Sequence, residues 1–397
     1  MAEFLIASPF EMEGVCAGEL KELGFENVKS ENGRASFEGS LNDALRANMW
    51  LRTGDRVMLH MGSFKAYTFD ELFEGVKALP WEDYITEKMA FPVGGKCARS
   101  KLMSLPDVQA ITKKAIAERL KSVYGLEWLP ETGAVAQIDV HMHQDTATLS
   151  IDTSGVGLAK RGYRTYNGEA PMRETMAASL LKLSPWYTDM PLCDPMCGTG
   201  TIAIEGALMA LDRAPGMMRK FAMEQWPYVD ISYSKRLREE AKERFEAAPP
   251  CQVFASDIDS KAVALTKKHV VQAGIGGKIK IQQCDFRKLG GIPDRGAFIV
   301  NLPYGIRIMA PKEVEKLYRD LGTGTSNIPT GRLPRLPRTA ALRNSSAGAQ
   351  TKSAAYTTAP SNAEPISTAA SAERGPRPIY KHKQALSEVS GISILLL

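Results

Sequence analysis

The sequence predicts an α/β fold, with a parallel, Rossmann-like sheet in its second half and a smaller α+β module ahead of it. Three observations carry this. Pro191-Leu-Cys-Asp-Pro-Met-Cys-Gly-Thr-Gly-Thr-Ile-Ala-Ile-Glu-Gly206 runs from a short apolar strand ending in Asp194, through a glycine loop, into an alanine-rich helical pattern from about Thr201. Gln252-Val-Phe-Ala-Ser-Asp257 and Gly296-Ala-Phe-Ile-Val300 are further apolar strand patterns, and helical stretches separate them, as parallel crossovers require. Residues 1–155 alternate short strands and helices without such a loop.

The glycine loop points to a nucleotide-like ligand. Gly198 and Gly200 allow a sharp turn and close backbone approach, and the free N–H groups of the following helix face whatever binds there. A nucleoside triphosphate would need a Gly-Lys-Ser/Thr sequence, which this stretch lacks. Gly198-x-Gly200-x-x-Ala203 fits a relaxed dinucleotide fingerprint, which expects an acid about 20 residues downstream. The next strand-end acid is Asp257, far beyond that spacing. S-adenosylmethionine is the third candidate, since its loops carry an acid at the strand end, where Asp194 stands. The loop alone leaves the cofactor open.

Asn301-Leu-Pro-Tyr-Gly305 follows the strand at 296–300 and narrows the chemistry. An exocyclic amine on a nucleobase needs an acceptor for its N–H protons and a flat surface for its ring. The Asn301 carbonyl offers the first, Tyr304 the second, and Pro303 helps fix the turn between them. The combination resembles the Asn-Pro-Pro-Tyr motif of amino-group methyltransferases.

Taken in order, the chain begins with a strand at Phe4–Ser8, a helix over Glu11–Leu23 stopped by Gly24, a strand at Ala35–Phe37, a helix over Leu41–Leu51 and a strand at Val57–His60. A helix over 69–78, a strand at Met89–Phe91, a helix over Val108–Tyr124 and strands at Val135–Val140 and Ala147–Ile151 follow. No apolar run approaches the roughly 20 residues that span a bilayer, and the N-terminus lacks a secretory pattern, so a cytoplasmic protein without membrane contact is expected. Six cysteines show no Cys-x-x-Cys spacing, and His60, His141 and His143 have no metal-ligand partners in sequence, so no metal is expected.

The net charge of +5 hints at nucleic acid, but its location matters. Residues 323–397 hold nine Lys and Arg against three Asp and Glu; the other 41 basic and 42 acidic groups nearly cancel. Any RNA surface on the body is therefore a local patch. Lys113, Lys114 and Lys121 in the Val108–Tyr124 helix could make a basic face for phosphates, or be an ordinary solvated face. Lys160 and Arg161 open a second basic run, through Arg164.

Lys160-Arg-Gly-Tyr-Arg164, Ala170-Pro-x-Arg-Glu-Thr175, Asp194-Pro-x-Cys-Gly-Thr-Gly200 and Asn301-x-Pro-Tyr-Gly305 together resemble the bacterial THUMP-domain RNA methyltransferases that modify guanine N2 in 23S ribosomal RNA. Leu302 stands where that family usually has its first proline. The resemblance implies a ferredoxin-like domain over 1–64, a THUMP RNA-binding domain over 65–155 and a class I methyltransferase domain over 156–321. It implies S-adenosylmethionine as cofactor and large-subunit RNA as partner. By the same resemblance, Asp194, Gly198, Gly200, Asp257 and Asp285 bind the cofactor, Asp257 through the ribose hydroxyls and Asp285 through the adenine amine. Asn301, Pro303 and Tyr304 act on the base. Asp259 reads as a helix cap. Three alternatives stand beside this reading: a non-catalytic RNA-binding THUMP protein, a nicotinamide-dependent oxidoreductase, and methylation of a transfer-RNA guanine or DNA adenine.

From about Gly322 Ala, Ser, Thr and Pro dominate, which reads as a disordered extension. Shifting the codons of Ala347–Ala359 by one base permits Arg-Arg-Ala-Asp-Lys-Lys-Arg-Arg-Leu-Tyr-Asn-Gly, which resembles the C-terminal strands of the same family. Residues 322–397 are accordingly expected to be frame-shifted, leaving a class I sheet incomplete at its C-terminal strands and the strand at 297–300 as an unpaired apolar edge.

Overall fold

Two sheets organise the computed structural model, which describes residues 1–31, 33–164, 172–290, 296–301, 386–389 and 392–396. The first sheet gathers β1 (Ala2–Ala7), β2 (Glu26–Glu31), β3 (Arg34–Gly39), β4 (Arg56–Lys65), β5 (Val93–Ala98), β6 (Ile138–His143) and β7 (Thr146–Asp152) in the order β2-β3-β1-β4-β7-β6-β5. Between these strands run α1 (Glu13–Glu22), α2 (Leu41–Trp50), α3 (Phe69–Lys77) and α4 (Leu105–Tyr124). Caps written in the sequence set the helix starts. Ser40 and Asp43 close a capping box on α2, Thr68 and Glu71 another on α3, and α4 stops at Gly125 with φ of 66°.

The boundary expected at residue 64 falls near the end of a strand that belongs to both units. Met58 and Leu59 of β4 pair with Leu5 and Phe4 on one side and with Asp152 and Ile151 on the other. The ferredoxin-like and THUMP parts therefore share one seven-stranded sheet and one apolar core. The strand expected at Met89–Phe91 lies instead at Val93–Ala98, and Ala90 makes only an isolated bridge to Val135. Its glycines hide it from a propensity reading, yet a Cβ on Gly95 would sit 2.2 Å from the Val140 carbonyl oxygen.

In the second sheet, β8 (Leu192–Asp194), β9 (Val253–Asp257), β10 (Ile279–Gln283), β11 (Gly296–Val300), β12 (Leu386–Val389) and β13 (Ile392–Leu396) lie in the order β10-β9-β8-β11-β13-β12. Only β12 runs antiparallel to its neighbour. Its helices are α5 (Glu174–Leu183), α6 (Thr201–Ala210), α7 (Ile231–Ala247) and α8 (Ser260–Gln272). The unpaired edge expected at 297–300 is not found: β13 pairs in parallel with all of β11, Gly296 opposite Ile392 through Val300 opposite Leu396. A strand edge exposes N–H and C=O groups that seek partners, and Ile392-Ser-Ile-Leu-Leu396 is an apolar run able to supply them. The rest of the tail expected to be disordered lies outside the described residues.

The segment after α6 folds back on the N-terminal module. Phe221, Met223, Trp226, Leu237 and Ala241 are buried in the first core, and the Trp226 indole donates to the Val135 carbonyl at 3.0 Å. α7, charged along most of its length, thus keeps a narrow buried seam beneath its polar face.

Candidate active site

In an open parallel sheet, ligands bind outside the carboxyl ends of the strands, where the chain order reverses. That point here is β8, the first strand of its sheet, flanked by β9 on one side and β11 on the other. Asp194 ends β8, Asp257 ends β9, and Asn301 follows β11, half-buried. Gln283 of β10 pairs with Asp257, and the Cys284 N–H donates to the Asp257 carbonyl at 3.0 Å, which brings Asp285 to the same rim. The structure therefore gathers all these expected residues at one end of the sheet. Pro303 and Tyr304 lie outside the described residues.

The glycine loop is held from three sides. Gly198 and Gly200 take φ of +53° and +85°, which a side chain would resist. The Gly198 N–H donates to Asp257 Oδ2 at 2.8 Å, and the Cys197 N–H to the Ser256 carbonyl at 2.9 Å. From α8, the Thr266 hydroxyl donates to the Gly198 carbonyl at 2.9 Å, and His269 Nδ1 lies 3.0 Å from the Thr199 carbonyl. A Cβ on Gly200 would meet Thr266 Cγ2 at 2.6 Å, whereas one on Gly198 meets nothing within 4 Å. Thr266 and His269 were invisible as site residues in sequence, where they read as ordinary positions of a helix.

Asp194 is buried, its Oδ1 has no hydrogen-bond partner among the described residues, and burial, with the nearby Asp257 carboxylate, pushes its acid constant up to about 8. The Met196 N–H partly offsets this. An unmatched buried acceptor beside an open glycine turn suits a ligand that brings a cationic donor. Asp257 Oδ1 accepts the Asp259 N–H at 2.9 Å, and Asp259 caps α8 as expected, accepting from the Lys261 N–H at 2.9 Å. Asp285 accepts the Arg287 N–H at 3.0 Å and pairs with its guanidinium at 3.1 Å, contacts that hold its carboxyl below the usual range. Ile258, beside Asp257, is 66% exposed and offers an apolar face at the same rim.

Two residues expected at an RNA surface are committed elsewhere. Arg161 is buried: it donates to the Leu158 and Arg52 carbonyls at 2.9 and 2.5 Å and pairs with buried Glu205 of α6 at 3.3 Å, to which the Tyr163 hydroxyl also donates at 3.1 Å. Arg164 donates to Thr201 Oγ1 at 2.6 Å. The basic run at 160–164 is thus a clasp on the helix that follows the glycine loop, and only Lys160 of the two is exposed. Lys113 donates to the Phe91 carbonyl at 3.1 Å, pairs with Glu131 at 2.5 Å and lies 3.7 Å over the Phe91 ring. Lys114 is exposed, with its ammonium 5.6 Å from the Phe73 ring, and Lys121 is half-buried.

The comparisons agree with this layout. Residues 3–58 match the model of the RlmL ferredoxin-like domain, 66–152 that of the THUMP domain, and 161–337 that of the RMKL-like methyltransferase domain. YpsC of Bacillus subtilis, named as a candidate RNA methyltransferase, is 42% identical over 328 residues, covering 82% of this chain and 85% of YpsC. The ribosomal RNA large subunit methyltransferase K/L of Syntrophotalea carbinolica is 32% identical over 335 residues, which are 81% of this chain but only 47% of that longer protein. The crystal structure of SMU.472, a candidate methyltransferase in complex with SAH, superposes with a TM-score of 0.79 at 37% identity, over 82% of this chain and 86% of that one. A predicted N6-adenine-specific DNA methylase from Listeria monocytogenes gives a TM-score of 0.78 at 42% identity, over 83% and 86%. With a glycine loop set between two strand-end carboxylates, three family models matched in succession and YpsC matched along most of its length, the chain belongs to the THUMP-domain RNA methyltransferases of the RlmL family.

Proposed function

We propose that this protein uses S-adenosylmethionine to methylate the exocyclic N2 of a guanine in large-subunit (23S) ribosomal RNA. The observation that carries the reading is Asp194, buried with its Oδ1 unmatched among the described residues, between the strand ends of Asp257 and Asn301. SAH, the demethylated product of that cofactor, is bound in SMU.472, and the K/L relative acts on large-subunit ribosomal RNA.

S-adenosylmethionine supplies an electrophilic methyl on a sulfonium. The residues here bind and orient. Asp194 holds the cationic amino-acid end, Gly198 leaves room for the cofactor against the backbone, Gly200 lets the loop close against Thr266, Asp257 accepts from the ribose hydroxyls, and Asp285 accepts from the adenine amine. The guanine N2 lone pair is delocalised into its ring, so the amine is a weak nucleophile. Asn301 Oδ1 accepts its N–H and favours a more pyramidal nitrogen. Pro303 and Tyr304 act on the base with Asn301, Tyr304 by stacking once the base is drawn out of its helix. The catalytic gain comes from positioning the amine in line with the methyl.

A second reading, methylation of an adenine amine, is favoured by the name of the Listeria structure and uses the same Asn-x-Pro-Tyr chemistry. Incubation with methyl-labelled cofactor and unmodified 23S RNA, transfer RNA or DNA, followed by nucleoside mass spectrometry, separates the two. N2-methylguanosine in 23S RNA is expected; N6-methyladenine in its place would overturn the assignment.

A further inference from the structure

Asp145 gathers three chain segments at one end of the first sheet. Its carboxylate accepts the Lys101 N–H at 2.6 Å, its own N–H donates to Ser100 Oγ at 3.0 Å, and its carbonyl accepts the Ala66 N–H at 3.0 Å. Gln144 and Asp145 both have positive φ, the pattern of a tight two-residue hairpin turn joining β6 to β7. Arg99, at φ of 51°, turns the chain out of β5, and the Lys65 ammonium donates to the Gln144 carbonyl at 2.8 Å.

This arrangement brings Lys65, Lys96, Arg99, Lys101 and His143 together on the exposed surface. Tyr67, 43% exposed, lies among them with the Lys101 ammonium 4.8 Å from its ring. Among the described residues none of the four Lys and Arg cations has an ion-pair partner, unlike Lys113 and Arg161. Of the neighbouring carboxylates, Asp145 and Glu71 each accept backbone N–H groups, and Asp139 of β6 feels the charge of Lys96 without forming an ion pair with it. A local positive field is felt on β6, where His141 is held down to about 4, first by burial and then by Lys96, His143 and Arg34.

We infer that this patch grips a single-stranded segment of the RNA substrate, with Lys65, Lys96, Arg99 and Lys101 on phosphates and Tyr67 stacked on a base. The inference rests on the RNA reading above. Phosphate contacts ask for cations with no internal partner, and an exposed ring among them suits an unpaired base, since bases inside a duplex present no free face.

The test is fluorescence anisotropy of the full chain with labelled single-stranded RNA and with a blunt duplex, at several salt concentrations. Lys96→Gln/Arg99→Gln/Lys101→Gln is expected to weaken single-strand binding at least tenfold and to flatten the log–log salt slope by about 2, at roughly 0.7 for each phosphate no longer neutralised. Tyr67→Ala is expected to weaken the single strand about tenfold, within the range for one stacked base, and to leave the duplex unchanged. S-adenosylmethionine affinity, measured on the same samples, stays at the wild-type value and reports the fold. Wild-type RNA affinity in the triple variant would overturn the patch while leaving the RNA reading intact. A wild-type chain that binds S-adenosylmethionine but no RNA would overturn both. Equal weakening on duplex and single strand in Tyr67→Ala would remove the stacking role.

Discussion

The Asp257 carboxylate accepts the N–H of Gly198 at 2.8 Å, so the end of one strand holds the loop that follows its neighbour. The same carboxylate, by its place at the rim, is the proposed receiver of the cofactor ribose. Asp257→Ala should therefore remove both the hydrogen bond to the loop and the one to the ligand. One hydrogen bond to a charged group contributes about 1.5–3 kcal/mol, so cofactor affinity should fall at least tenfold in calorimetry, with the chain still folded by circular dichroism. Unchanged affinity would remove Asp257 from the site.

The two loop glycines should fail differently. Gly200→Ala meets Thr266 Cγ2 at 2.6 Å and takes an unfavourable φ, so it should lower the melting temperature as well as cofactor binding. Gly198→Ala has open space around its new methyl and only the left-handed penalty of about 1–2 kcal/mol. It should mainly weaken the cofactor, because that open space is where the ligand approaches. Thermal melts paired with calorimetry distinguish the two patterns.

Asp194 gives a pH dependence of definite sign. Its folded acid constant, about 8, is raised above the ordinary 3.8, so its contribution to stability is fully present below pH 3.8 and is lost as pH rises through 8. Asp194→Asn should consequently raise the melting temperature of the ligand-free protein at pH 8 and change it little at pH 4. Cofactor binding runs the other way: a cationic ligand needs the ionised carboxylate, so affinity should tighten from pH 6 to pH 8 with release of a proton. Calorimetry in buffers of different ionisation enthalpy measures that proton, and Asp194→Asn should abolish it.

Arg161 and Glu205 are both fully buried and face each other at 3.3 Å. Removing one partner strands the other's charge, at a cost of about 3–5 kcal/mol, whereas replacing both with apolar groups is often close to neutral. Arg161→Met should destabilise strongly, and Arg161→Met/Glu205→Met should recover most of the loss in denaturant titrations. Neither should alter RNA affinity in folded protein.

That clasp also marks where the sequence could not be read. The strand, glycine loop and helix around Asp194 were legible because their signals are local: an apolar run, two glycines, then an alanine-rich pattern. Arg161 looked like a phosphate ligand because its partner is 44 residues away and charge alone does not reveal burial. The pairing of Lys113 with Glu131, 18 residues further on, is hidden from the sequence for the same reason. β2 escaped notice because Glu-Asn-Val-Lys-Ser-Glu, over 26–31, is polar and largely exposed on an edge, where little apolar pattern is required. β13 was missed because its pairing depends on an edge nearly 100 residues earlier.

The central claim is that Asn301, at the end of β11, acts on the amine and not on the cofactor. Single-turnover methyl transfer to unmodified 23S RNA, run beside cofactor calorimetry on Asn301→Ala, tests it most directly. The account predicts that transfer of N2-methyl to guanine falls by at least about a hundredfold, within the usual span for losing a group that assists proton movement, while cofactor affinity stays within about twofold. Transfer at the wild-type rate, or a loss of cofactor binding that matches the loss of rate, would contradict it.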